Sequence, residues 1–342
     1  MIGGVLLGAC AFAFNTWRTI DRVVIDRSVD LDVQADAPAA VGPDVTAVPE
    51  FRLPPLPGAS DGIDTVLMVG TDDRSGLEDL SGFGDFEGAR ADVLLLLIRS
   101  RDMERAAIVS LPRDLWVSTP CGQERINETL AGCNGMNGES TLVLTVESLT
   151  GLGVDHVAMV NFAGFQDVVD ELGGYEICVD RPVRDPKAKL DMTAGCHMAD
   201  GADTLAWLRS RTTEELRGDG RWVVVSGVND LTRNERQREF LVEMISRLSD
   251  FTGPEDAFRT ARGIAPYLTV DSSLGIGQAV SLAWTMRGMH SSLDHVQVPV
   301  EDYLTQAGAE VLLPVGSVEA IIADIIAVET VGEPGPPGAA TG

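Results

Sequence analysis

Two uninterrupted apolar runs of strand length, Asp64-Thr-Val-Leu-Met-Val-Gly70 and Asp92-Val-Leu-Leu-Leu-Leu-Ile98, do most to limit what this chain can fold into. A strand with one wet face alternates apolar and polar residues, whereas a run without alternation needs cover on both faces. The runs therefore predict inner strands of a sheet with helices packed on it. Later segments agree. Arg105 to Leu111, Asp155 to Asn161 and Tyr175 to Val179 read as strands. Ser140 to Leu149 sets Leu142, Val143, Val146 and Leu149 on one helical face. Phe162 to Leu172 is a second helix, closed by Gly173-Gly174. Asp230 to Leu248 is a long amphipathic helix, and others are expected near Pro254–Arg262, Leu274–Arg287 and Val318–Val328. The expected fold is a single α/β domain over residues 61–329, three-layered (α/β/α) around a mixed central β-sheet.

The flanks are of a different kind. Residues 1–17 carry no charged side chain and are expected to form a transmembrane anchor, truncated at its start, since no basic segment precedes the apolar run. Leu7-Gly8-Ala9-Cys10 is similar to a lipoprotein cleavage box, but the apolar Ala11 to Phe14 behind it favours the anchor. Residues 18–60, rich in Ala and then Pro, read as an extended spacer, and residues 330–342 as a disordered tail. Four cysteines lie beyond the anchor: Cys121, Cys133, Cys178 and Cys196. They permit three pairings, of which sequence proximity favours Cys121–Cys133 and Cys178–Cys196. A zinc site competes with disulfides, but no C-x-x-C knuckle is present. Disulfides and an anchor both place the bulk of the chain outside the cytoplasm.

Charge narrows the ligand. A net charge of −26 excludes general affinity for nucleic acid, which is bound through excess Lys and Arg. Of the 26 basic residues, only Lys187 and Lys189 are lysine, and the arginines gather where apolar elements end. Gly70-Thr71-Asp72-Asp73-Arg74 follows the first run, and Arg90-Ala91-Asp92 opens the second. Leu111-Pro112-Arg113-Asp114, Arg125-Ile126-Asn127, Arg209-Ser210-Arg211 and Asp230-Leu-Thr-Arg233-Asn-Glu-Arg236-Gln237 complete the set. Strand ends of α/β sheets are where ligands bind, and the guanidinium fork suits phosphate and diphosphate. Asp72 and Asp92 could hold Mg²⁺ (or Mn²⁺) against the same phosphates. A single Arg-x-Asp is more often a surface ion pair; six clusters at element boundaries point to an anion site.

In this order the motifs resemble the LytR–CpsA–Psr family of wall glycopolymer transferases, in an actinobacterial-like form. Asp155 to Phe165, Val168 to Gly174, and Ala194 through Arg211 are similar to its central signature. The resemblance implies an enzyme that moves a glycopolymer from a polyprenyl diphosphate carrier onto a peptidoglycan muramic acid hydroxyl as a phosphodiester. It implies that Asp72 and Asp92 coordinate Mg²⁺. By the same resemblance Arg90, Arg113, Arg209, Arg211, Arg233 and Gln237 grip the diphosphate, with Arg125 and Asn127 nearby. Arg90, Arg113 and Asp114 are its candidate catalytic residues, Asp114 either assisting the acceptor hydroxyl or orienting Arg113. The partners implied are a polyprenyl-diphosphate-linked polysaccharide, the peptidoglycan acceptor and the cell membrane, which the anchor crosses once with the catalytic domain outside.

Two features depart from the family pattern. Arg125 stands where Lys is common, and Thr212 to Asn229 is an insertion whose Val223-Val-Val225 reads as one arm of a hairpin. His156, His197, His290 and His295 show no triad spacing and are taken as structural. The rival readings are a non-catalytic binder of polyprenyl phosphate or wall polymer, which would tolerate loss of the Asp pair, and a polyprenyl diphosphate phosphatase using water as acceptor. A transcriptional role is disfavoured, since no basic helix-turn-helix is present. Nothing in the sequence selects the polymer.

Overall fold

The computed structural model describes residues 20–27, 51–52, 63–73, 89–100, 106–133, 135–225, 236–237, 239–240, 243–244, 246–248, 253–275, 278–279 and 293–330. The expected anchor at residues 1–17 lies outside them. Among the described residues no helix is long and apolar enough to cross a membrane.

The fold is mixed α/β. A seven-stranded sheet has the order β1-β14-β7-β2-β3-β4-β15. Its strands are β1 (Asp21–Val23), β2 (Ile63–Thr71), β3 (Ala91–Ser100), β4 (Ala106–Ser110), β7 (His156–Val160), β14 (Thr269–Asp271) and β15 (Leu293–Gln297). It is mixed: β1 on β14 and β15 on β4 are parallel, while β14 on β7 and β3 on β4 are antiparallel. The two apolar runs are β2 and β3, and Leu67, Leu96 and Ile98 are fully buried, as unalternating strands require.

The chain divides into two compact units, and β2 and β3 each run from one into the other. One unit comprises Met1–Ile25, Met68–Val93 and His156–Ser292; the second comprises Asp26–Leu67, Leu94–Asp155 and Leu293–Gly342. In the second unit, β5 (Trp116–Thr119) and β6 (Gly122–Arg125) form a hairpin, followed by a 3-10 turn at Ile126–Ala131 and α1 (Gly138–Thr150). Asn137 caps α1 by accepting the Ser140 N–H at 2.8 Å. The hairpin of β16 (Val300–Leu304) and β17 (Glu310–Pro314) precedes α5 (Val318–Thr330), which packs on α1.

In the first unit, α2 (Phe162–Glu171) is capped by Asn161, and α3 (Gly201–Arg209) by Asp200. Between them β8 (Tyr175–Val179) and β11 (Gly195–Ala199) pair antiparallel, with Cys178 opposite Cys196. A four-stranded sheet has the order β10-β9-β12-β13, from β9 (Val183–Asp185), β10 (Leu190–Met192), β12 (Glu214–Leu216) and β13 (Trp222–Val224). The described residues within 236–248 are helical, and α4 spans Pro254–Ile264. The core joins Val169 and Leu208 to Phe240 and Met244, with Phe165 and Tyr175 stacking on Phe240 at centroid distances of 5.2 Å.

Three features refine the sequence reading. The inserted segment is the expected hairpin, β12–β13, over its described part. Both favoured disulfides, Cys121–Cys133 and Cys178–Cys196, are formed. Part of the stretch read as spacer is built into the main sheet: Asp21–Val23 pairs with β14, three residues being too few for periodicity to reveal.

Candidate active site

In the first unit, β2 ends at Thr71, and the chain leaves through Asp72 and Asp73. Gly70 permits a tight approach to β3, since a Cβ there would stand 3.1 Å from the Cβ of Val93. Beyond this contact, the Asp72 N–H donates to the Arg90 carbonyl at 3.0 Å, and the Arg90 N–H donates to Asp72 Oδ1 at 2.6 Å. The Asp72 carboxylate is thereby fixed at the mouth of β3, where Arg90 and Asp92 flank Ala91. All three polar residues are half-buried. The Asp73 carbonyl accepts the Phe162 N–H at 3.4 Å, linking this corner to the start of α2. The Phe162 ring in turn lies 5.3 Å from the Arg209 guanidinium at the end of α3. Asp72, Arg90, Phe162 and Arg209 are thus joined in one chain of contacts.

Residues 209–213 are held from below. Asp185, only 1% exposed, accepts the Ser210 hydroxyl at 2.8 Å and the Arg211 and Thr212 N–H groups at 3.2 and 3.0 Å, all on Oδ2. Burial pushes this carboxyl up, but the Ser210 hydroxyl and the Thr212, Lys187 and Ala188 backbone N–H groups outweigh it, and the net position is below the ordinary range. Arg236 stacks on Trp207 at 4.2 Å and donates to the Trp207 carbonyl at 3.1 Å. Gln237 donates to the Leu208 carbonyl at 3.4 Å. These side chains satisfy carbonyls that a helix C-terminus otherwise leaves open. Arg211 itself is exposed. Arg233 lies outside the described residues.

The second unit gathers the remaining predicted residues. After β4, Asp114 stands with its carboxylate 3.3 Å from Arg113 Nε and 3.9 Å from Arg125 Nε. Arg125 is further held by Glu128 at 3.2 Å and the Glu310 carbonyl at 2.9 Å. The Asn127 N–H donates to the Arg113 carbonyl at 3.2 Å, and its side chain is buried with Oδ1 unpartnered. The disulfide between Cys121 and Cys133 closes the loop that carries Arg125 and Asn127.

The structure therefore groups Asp72, Arg90 and Asp92 with Arg209, and, separately, Arg113, Asp114, Arg125 and Asn127. Sequence reasoning missed Asp185, Arg236 and Phe162 as supports. The signal for Asp185 was slight, an Arg184-Asp185 pair ahead of Pro186 with no long apolar run in front of it. The structural histidines do other work: His156 meets Asp271 at 3.3 Å, His197 meets the Thr193 carbonyl at 2.8 Å, and His295 lies 3.4 Å from Ser110. His290 lies outside the described residues.

Asp72, Arg90 and Asp92, all half-buried, stand where β2 ends and β3 begins. A LytR_cpsA_psr family model matches residues 44–318. The chain belongs to the LytR_cpsA_psr family. It is 34% identical over 231 residues to the "Probable cell wall biosynthesis protein LcpB" of Corynebacterium glutamicum, covering 65% of this chain and 51% of that one. It is 29% identical over 213 residues to the polyisoprenyl-teichoic acid–peptidoglycan teichoic acid transferase TagT of Bacillus subtilis, covering 60% and 64%. The chain thus spans about half to two-thirds of these curated relatives. Among solved structures, a LytR-Csp2A-Psr enzyme from Actinomyces oris aligns with a TM-score of 0.58 at 26% identity, covering 81% of this chain and 94% of that one. The LytR_cpsA_psr fold accordingly accounts for the mixed central sheet.

Proposed function

We propose that this chain transfers a glycopolymer from a polyprenyl diphosphate carrier onto peptidoglycan. The acceptor hydroxyl oxygen gives up its proton to solvent and forms a bond to the phosphorus bearing the polymer as the bond to that phosphorus from polyprenyl phosphate breaks, leaving a phosphodiester and free polyprenyl phosphate. The observation that carries this reading is the lock between Asp72 and Arg90, which fixes a carboxylate and a guanidinium-bearing residue at one strand end beside Arg209. The names of TagT and LcpB, a transferase from a polyisoprenyl carrier to peptidoglycan and a wall biosynthesis protein, support it.

Asp72 and Asp92 would hold Mg²⁺ (or Mn²⁺). They offer hard oxygen donors with no thiolate or imidazole beside them in the motif, and two carboxylates completed by water and phosphate is a common Mg²⁺ arrangement. The chemistry that Mg²⁺ held by Asp72 and Asp92 would supply is neutralisation of phosphate charge and polarisation of the phosphoryl oxygen. Arg90, Arg209 and Arg211 bind diphosphate oxygens, while Arg113 and Arg125, joined through Asp114, present a second pair of guanidinium groups. Asp114 serves first to orient these arginines. The family resemblance assigns Asn127, Gln237 and Arg233 to the diphosphate as well. In this reading the mixed sheet and its helices belong to a three-layered fold, carried outside the membrane on a single N-terminal span. The two disulfides support an oxidising location.

The test is reconstitution of the full chain in micelles with Mg²⁺, a synthetic polyprenyl-diphosphate saccharide and a peptidoglycan oligomer. Mass spectrometry should find a phosphodiester-linked product together with polyprenyl phosphate, and Asp72→Asn and Arg209→Ala should each lower the rate by at least about 100-fold. Lipid bound without turnover would replace the proposal with a binding role. Saccharide phosphate released to water, with no linked product, would replace it with a phosphatase.

A further inference from the structure

The segment Arg209–Thr213 is unusual in how little of its geometry it sets for itself. It follows the last turn of α3, it carries two guanidinium groups two residues apart, and its backbone joins the β12–β13 hairpin at its far end, where the Thr213 carbonyl accepts the Val225 N–H at 2.9 Å. Left alone, such a stretch would sample many conformations, and a ligand would have to order it on binding, at a cost in affinity. Asp185 removes that freedom. It belongs to β9, whose register with β10 and β12 is fixed by Arg184↔Asp191 and Arg184↔Glu214. From there its carboxylate receives Ser210, Arg211 and Thr212 together: the Ser210 hydroxyl at 2.8 Å, two backbone N–H groups at 3.2 and 3.0 Å, and the Thr212 hydroxyl at 3.2 Å to each oxygen. A second tier continues it. Since Ser210 donates to Asp185, Thr213 donates to Ser210 Oγ at 2.8 Å, and Arg236 reaches Thr213 Oγ1 at 3.5 Å.

We propose that Asp185 is a positioning residue for anion binding: its buried carboxylate pre-sets the backbone that aims Arg209 and Arg211 at a diphosphate. The proposal rests on the reading of these two arginines as diphosphate ligands. Asp185 touches no ligand in this role, and it cannot be exchanged for an uncharged isostere. An amide would place an N–H₂ group against two backbone N–H groups and two hydroxyls, or turn its oxygen away from Lys187 N–H, which now donates to Oδ1 at 3.0 Å. Against the effect of burial, the Ser210 hydroxyl and the backbone N–H groups hold the Asp185 carboxyl below the ordinary range, which favours the charged acceptor.

The test is a double-mutant cycle read in Kd, using inorganic pyrophosphate and farnesyl diphosphate with the full chain in detergent micelles. Asp185→Asn should weaken both ligands about tenfold in the native background, and less than about twofold when Arg209→Ala/Arg211→Ala is already present. Thr212→Val should act in the same direction, with Thr212→Ser restoring affinity because it keeps the hydroxyl. A residue that merely stabilises the fold would lower the melting temperature in both backgrounds without this coupling. Equal weakening in both backgrounds, or native affinity in a folded Asp185→Asn protein, overturns the proposal. Should Asp185→Asn fail to fold, the same cycle with Thr212→Val and Thr212→Ser decides: affinity restored by Ser supports it, and native affinity in Thr212→Val overturns it. If Arg209→Ala/Arg211→Ala binds as tightly as the native chain, the diphosphate reading of the arginines has failed, which is a different result from an uncoupled Asp185.

Discussion

Carboxylates do most of the single-residue work in this molecule, and their settings differ. Asp271, 3% exposed, receives the Val157 N–H at 2.9 Å, the Ser273 side chain and backbone, and the His156 ring at 3.3 Å. Burial alone would raise its carboxyl; His156, Ser273 and Val157 reverse that and hold it at about 2, against 3.8 for a free Asp. A depressed carboxyl stabilises the fold above its unfolded value and loses that contribution as pH falls through the folded one. Asp271→Asn should therefore destabilise the chain by about 2 kcal/mol at neutral pH, with the gap closing between about pH 4 and pH 2. Urea titrations of both proteins at several pH values would measure it, and a gap independent of pH would contradict the assignment. Which residues would matter was partly legible at this scale. Asp72, Arg90, Arg113 and Asp114 stand out in the sequence as charges breaking apolar runs, whereas Asp185 and Asp271 do not. Their partners are 25 and 114 residues away, and nothing in local spacing announces a contact of that reach.

At the scale of elements, the strands and helices were readable because their signals are local. Unbroken apolar runs gave β2 and β3, and the Asn and Asp caps mark where α1, α2 and α3 begin. Packing between elements was hidden in glycines. A Cβ on Gly201, at the first turn of α3, would lie 2.2 Å from the Gln166 carbonyl oxygen of α2, so these helices meet backbone to backbone. The Gly201 N–H uses that closeness to reach Asp170 Oδ1 at 2.7 Å. Gly201→Ala has to push α3 away and should cost about 1–3 kcal/mol, lowering the melting temperature by about 2–4 °C for each kcal/mol. Because α3 ends in Arg209, diphosphate affinity should fall with it. Calorimetry and titration on one sample would separate the two effects, and an unchanged melting temperature would show that the helices can part freely.

Over the whole molecule, the two disulfides differ in what they add: Cys178–Cys196 links strands already paired in register, whereas Cys121–Cys133 ties the end of the β5–β6 turn to the loop before α1. Cys121–Cys133 closes a loop with a sequence separation of 12, worth about 3 kcal/mol in the chain-entropy model. Cys121→Ser/Cys133→Ser should lower stability by that order and loosen Arg125 and Asn127; denaturant titration against the native chain is the measurement, and an unchanged midpoint would refute it. The N-terminal stretch matters at the same scale. Val23 accepts the Ser272 N–H at 2.8 Å, and Arg27 donates to Glu147 Oε1 at 3.0 Å and to the Val154 carbonyl at 2.8 Å. Glu147 is fully buried, and burial raises its carboxyl despite Arg27. Cutting the chain back to residue 61, where the sequence alone places the start of the domain, would strip β14 of its β1 neighbour and Glu147 of its cation. The expected cost is about 3–5 kcal/mol, with a bare sheet edge inviting self-association; light scattering and melting of chains starting at residues 20 and 61 would show it. The segment leading into the domain is therefore a strap rather than a leash. A pull on residues 21–27 is borne directly by β14 and by Glu147 of α1.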